Sequence, residues 1–293
     1  MRRPGLARQM QIASNTMRST IFWTAARIAL RVLSGIRILS GSPQGVGLAA
    51  ARRRPSFAVR AWLLGALAIS CPTTRATAAN FLVQGTTPAR AAALVQRAEE
   101  TRARAFREIL GADTPAGWSV PCEIHLHDSE AAFADAVGGP PDDARGATSI
   151  EFAGDEVVFR RIDLMDDEGN GMPAALAHEL VHVVLADRFT AAPPPRWADE
   201  GLAVLHDDPA TQAAHEQDFQ EARRTGMTWS ASHLLSMEEY PREPQRQRIF
   251  YGQSAALVRW LIERRDTATF LEFLEDAASD QAAALERHYE LPS

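Results

Sequence analysis

The run AHELVHVVLADRF, residues 177–189, sets His178, Glu179 and His182 among Leu180, Val181, Val183, Val184 and Leu185. So apolar a segment belongs in a core, and a buried imidazole or carboxylate is costly there without a partner. Whatever fold the chain adopts must deliver partners to three polar side chains on one interior element. On a helix, residues four apart lie about 40° from each other around the axis and one turn along it, so His178 and His182 point the same way. Two imidazoles so placed can bind one zinc ion, while Glu179, beside the first of them, can reach water next to the metal rather than the metal itself. The plain alternative is a pair of core histidines bonded to backbone, with Glu179 exposed.

A third ligand has to come from a separate element. In PPPRWADEGLAVLHDD, residues 193–208, the prolines force a turn and a helix begins at Trp197-Ala198, carrying Asp199 and Glu200. One helix position is a rotation of about 100°, so the two acids cannot serve equally. Glu200 is the expected ligand. Asp199 is expected to back one of the histidines, or else to be an acid favoured near a helix N-terminus.

Periodicity organises the rest of the chain. TPARAAALVQRAEETRARAFREILG, residues 87–111, has apolar residues at helical spacing and a glycine stop at Gly111. SVPCEIHLH alternates like a strand, and DSEAAFADAVGG reads as a short helix with an Asp or Ser cap and a glycine end. ATSIEFAGDEVVFRRIDL reads as two strands around the turn Ala153-Gly154-Asp155. Pro173 is expected in the first turn of the His178 helix, and from Pro195 onward the pattern is helical, with breaks near Thr225 to Ser232 and Tyr240 to Pro244. The predicted fold class is α+β: a small sheet and the His178 helix over 80–190, then an all-helical half over 191–293.

Several conspicuous residues receive bland readings. His125 and His127 are two apart on one strand face and are expected to form a solvent-facing pair. Arg160 and Arg161 read as solvated, His206, His215, His233 and His288 receive no role, and Trp229, Trp260 and Phe270 read as core. The acid-rich DLMDDEGNG lacks calcium-loop spacing and reads as a solvated turn.

Charge separates the front of the chain from its body. Residues 1–79 carry 12 Arg and no Asp or Glu, whereas residues 80–293 hold 19 Arg against 37 acids, giving +12 and −18 within the net −6. An acidic body repels nucleic acid and anionic membrane, so neither is expected as a partner. The front half contains Arg52–Arg54, an apolar run from Ala61 to Ser70, and Ala76-Thr77-Ala78, which is the order of a secretory signal cleaved near Ala78 or Ala79. An exported protein, periplasmic or secreted, follows; Cys71 is a weak lipoprotein-type alternative. Residues 1–50 read as an upstream start codon or an unusually long leader, with an amphipathic surface helix over 20–39 as a further reading. Beyond the signal only Cys122 remains, so no internal disulfide is possible and a buried apolar role fits it.

Taken together, His178-Glu179-Leu180-Val181-His182 and Trp197-Ala198-Asp199-Glu200-Gly201-Leu202-Ala203 resemble the gluzincin zinc peptidases, and within them the peptidase MA-like proteins, whose pattern is HExxH followed by a W-x-[ND]-E-G-x-A helix. The resemblance extends over roughly 81–290 and includes YGQSAALVRWLIER. It implies a zincin-like N-terminal half and a Zn2+ ion on His178, His182 and Glu200. It also implies peptide-bond hydrolysis with Glu179 as general base, and a tyrosine C-terminal to the third ligand as oxyanion donor, for which Tyr251 is the candidate. The GxMEN run with which aminopeptidases of this group hold a substrate amino terminus is absent, which points to an endopeptidase. DEVVFRRI is the expected edge strand beside a peptide or protein substrate. The alternative is a zinc-binding protein of the same fold that acts as a binding or regulatory module.

Overall fold

The computed structural model describes residues 80–115, 117–138, 144–166 and 171–291, together with the backbone of 18–23 and 76–78. The arginine cluster, the apolar run, Cys71 and Ala79 lie outside the described residues, as do residues 167–170 of the acid-rich turn. Among the described residues no helix is long and apolar enough to cross a membrane.

The strands are β1 (Arg18–Trp23), β2 (Ala76–Ala78), β3 (Phe81–Gln84), β4 (Cys122–His127), β5 (Ala144–Ala153) and β6 (Glu156–Met165). The helices are α1 (Pro88–Glu108), α2 (Glu130–Val137), α3 (Leu176–Arg188), α4 (Arg196–Val204), α5 (Pro209–Thr225), α6 (Ala231–Leu235), α7 (Pro244–Arg264) and α8 (Thr267–Tyr289). The architecture is mixed α and β, with an all-helical C-terminal region. Four strands form the body of the sheet in the order β5-β6-β4-β3, with β1 beside β5 and β2 beside β3. Strands β3, β4 and β6 run parallel, and the hairpin β5–β6 turns β5 antiparallel.

Local chemistry accounts for the elements. Thr87 caps α1 through its hydroxyl, Pro88 opens the first turn, and Gly111 takes φ +60 just beyond the end. Ala91, Leu94, Val95 and Ala98 then face Phe81, Val83, Ile124, Ile162 and Leu164 across the sheet. Ser129 caps α2, which lays Phe133 against Ala147 and Met165 in a separate apolar cluster. Helix α3 begins at Leu176, so Pro173 precedes the first turn rather than lying in it; Leu176 N–H bonds to its carbonyl.

Helix α3 is the shared wall of the two main cores. Leu176, Leu180 and Val183 face the sheet, while Val181, Val184 and Leu185 face a larger core built from α4, α7 and α8 with the end of α1. A helix apolar all round is a helix buried all round, which is why the 177–189 run shows no polar face. Each such Val or Leu contributes about 1.5–3 kcal/mol when fully buried.

Four expectations need correction here. Strand β6, which holds DEVVFRRI, is interior, paired to β4 on one side and β5 on the other. Its C-terminal residues Ile162–Met165 are buried on both faces, the mark of a covered strand. Arg160 is 4% exposed rather than solvated: it pairs with Asp187, and its guanidinium lies over the Trp118 ring, as does that of Arg102. His125 and His127 are half-buried and each faces a carboxylate, Glu123 at 2.9 Å and Asp163 at 2.7 Å. Trp260 is 44% exposed and stands outside the core that Phe270 joins.

Candidate metal centre

Helix α3 presents His178 and His182 one turn apart, with ring centroids 5.1 Å from each other. Helix α4 brings Glu200 to them: its Oε2 lies 3.2 Å from His178 Nε2 and 3.9 Å from His182 Nε2. One ligand atom from each of the three residues falls within 4.8 Å of the others, and all three side chains are buried. This group could hold a metal ion.

The far side of each imidazole is fixed as well. Asp207 meets His178 Nδ1 at 3.2 and 3.1 Å through its two oxygens, and Asp199 meets His182 Nδ1 at 2.8 Å. A carboxylate on Nδ1 accepts from that nitrogen and fixes the ring so that Nε2 faces Glu200, the orientation a histidine ligand requires. Burial opposes charge on both rings, yet the carboxylates prevail. Asp207 and Glu200 hold His178 well above the ordinary imidazole range, and Asp199 and Glu200 raise His182. Burial pushes Glu200 upward too, but its bond from His178 and the charge of both rings bring it below the ordinary carboxylate value. Such a concentration of buried carboxylates requires positive charge, from two protons or from a divalent cation, and two nitrogens with one oxygen suit a borderline metal.

Two further groups complete the surroundings. Tyr240, in the loop between α6 and α7, donates its hydroxyl to Glu200 Oε1, and burial followed by the Glu200 charge pushes its phenol well above the ordinary value. Glu179 is fully buried on the side facing β5, where the Thr148 hydroxyl donates to its Oε2 at 2.7 Å. At Gly146, on the same strand, a Cβ would stand 2.5 Å from Glu179 Oε1 and 2.8 Å from Ala175 Cβ. Only glycine admits α3 this close to β5.

The structure thus gathers His178, His182, Glu200 and Asp199 into one cluster, with Glu179 beside it. Tyr251 is buried within α7, its ring 6.5 Å from His178 and 5.6 Å from His215. His215, given no role from sequence, is 1% exposed, and burial drives its pKa down to about 4. Asp207, Tyr240 and Thr148 were missed. Asp207 lies in the turn just past the end of α4, and Tyr240 and Thr148 arrive from a loop and a strand, so none of the three carries a local mark. His206 bonds instead to Leu202 O and His288 to Asp276, both away from the cluster. The chain matches no protein-family model and no curated protein.

Proposed function

We propose that the protein is an exported zinc-dependent endopeptidase of gluzincin type. The observation that carries this reading is the pair of carboxylate-backed imidazoles converging on Glu200, with a fourth acid, Glu179, buried next to them. His178, His182 and Glu200 would hold the ion, leaving room for a small ligand as hydrolytic sites of this donor set do. A zinc ion there supplies Lewis acidity, acidifying water and polarising a carbonyl.

The chain's own residues divide the remaining work. Glu179 takes a proton from the water that attacks the scissile carbonyl and later gives it to the departing nitrogen. Asp207 and Asp199 keep the ligand nitrogens in the required tautomer, and Tyr240 orients Glu200 through Oε1. Tyr251 is the proposed donor to the oxygen that develops negative charge, since the Tyr240 phenol is committed to Glu200. Strand β5 adjoins Glu179 but is paired to β1 on one side and β6 on the other, so neither β5 nor β6 is a free edge for an extended peptide. Export by the signal over 52–79 belongs to the same proposal.

Elemental analysis of the purified full-length chain tests the metal, and hydrolysis of a varied peptide library tests the chemistry. We expect about one zinc per chain, lost in His182→Ala. Glu179→Gln should retain zinc while peptide cleavage falls about 10²–10⁴-fold. Wild type that carries zinc but cleaves nothing would leave a metal-binding module; wild type without zinc would remove the reading altogether.

A further inference from the structure

Glu179 carries the proton in the proposed reaction, and its carboxylate is held from outside α3. That support comes from β5. Thr148 is fully buried, and its Oγ1 lies 2.7 Å from Glu179 Oε2 and 3.2 Å from the Glu179 backbone carbonyl oxygen. A hydroxyl has one proton to give, and the shorter contact, to the carboxylate oxygen, takes it. Gly146 shares this face of the strand, two residues before Thr148, and its missing side chain lets α3 settle onto β5 at the required depth. A β-branched residue also has a restricted χ1 rotamer, so the hydroxyl stays aimed without help from a neighbour.

We propose that Thr148 is a positioning residue that sets the orientation of the Glu179 carboxylate for proton transfer. The inference rests on the peptidase reading of the same site, although the bond itself does not. A carboxylate held by a fixed donor presents a fixed plane to the water beside it. Without that donor the side chain rotates, and a displacement near 1 Å is enough to cost about a hundredfold in rate.

Two measurements on the full-length protein separate the inference from the reading it rests on. In peptide hydrolysis, Thr148→Val should keep about one zinc per chain and an unchanged KM, with kcat lowered about 10- to 100-fold. Thr148→Ser, which keeps the hydroxyl, should recover to within a few-fold of wild type. If Thr148→Val does not fold, Thr148→Ala takes its place against the serine variant. In metal-free protein, the denaturant midpoint should fall on Thr148→Val in the wild-type background and not in the Glu179→Ala background. Serine as impaired as valine, or the same midpoint shift in both backgrounds, overturns the inference by reducing Thr148 to a packed methyl group. An active Glu179→Gln variant would instead overturn the peptidase reading, and the metal-free measurement would still decide whether Thr148 holds Glu179.

Discussion

At the scale of single residues, the candidate centre is built in pairs: each imidazole has an acid behind it, and Glu200 has Tyr240. Asp207 touches His178 through both oxygens, so its replacement leaves a buried ring without its orienting acceptor. Asp207→Asn is expected to weaken zinc binding about 10- to 100-fold, measured by competition with a chromophoric chelator. The fold should survive, because asparagine can still accept from Nδ1. Asp199 reaches His182 through one oxygen at 2.8 Å. His178-Glu179-x-x-His182 was legible because spacing on one helix is local geometry, and Glu200 because its helix follows within a short turn. Tyr240 was not, because the loop that carries it is placed by the packing of α6 and α7 and not by its own sequence.

At the scale of elements, the site depends on two close approaches. Gly146 brings β5 to α3, and Gly201 brings α4 to α7: a Cβ on Gly201 would stand 2.5 Å from Val258 Cγ2 and 2.7 Å from the Ser254 carbonyl oxygen. Backbone cannot yield as a side-chain tip can. Gly201→Ala is therefore expected to destabilise by about 1–3 kcal/mol through overpacking, read as a lower denaturant midpoint, and to move Glu200, its immediate neighbour, enough to reduce metal affinity. The helices themselves were readable from periodicity and caps, as at Thr87 for α1 and Ser129 for α2. Strand order was not. DEVVFRRI alternates like an exposed strand, while the covered residues that follow it show that β6 runs through the middle of the sheet. Neighbours in a sheet are chosen by the whole chain, so the mistaken edge is the kind of error local pattern invites. Arg160 misled for a related reason: its burial depends on Trp118 and Asp187, far away in sequence.

At the scale of the whole molecule, α3 joins the sheet half to the helical half, since its opposite sides belong to different cores. The division at about residue 190 that periodicity suggests is thus crossed by continuous packing from Phe106 and Val184 to Trp197 and Phe273. A single unfolding transition is expected, with calorimetric and van't Hoff enthalpies in agreement; two resolved transitions would show that the halves melt independently. The buried acids also have a consequence for the molecule's total charge. Metal-free, the centre holds His178 and His182 protonated against Asp207 and Asp199. Loading it with a divalent cation displaces protons from these rings, so the molecule gains less charge than the cation carries. Loaded and empty protein would then migrate closer together in an electric field than the cation's own charge would place them, and acid released into the solvent would mark the exchange.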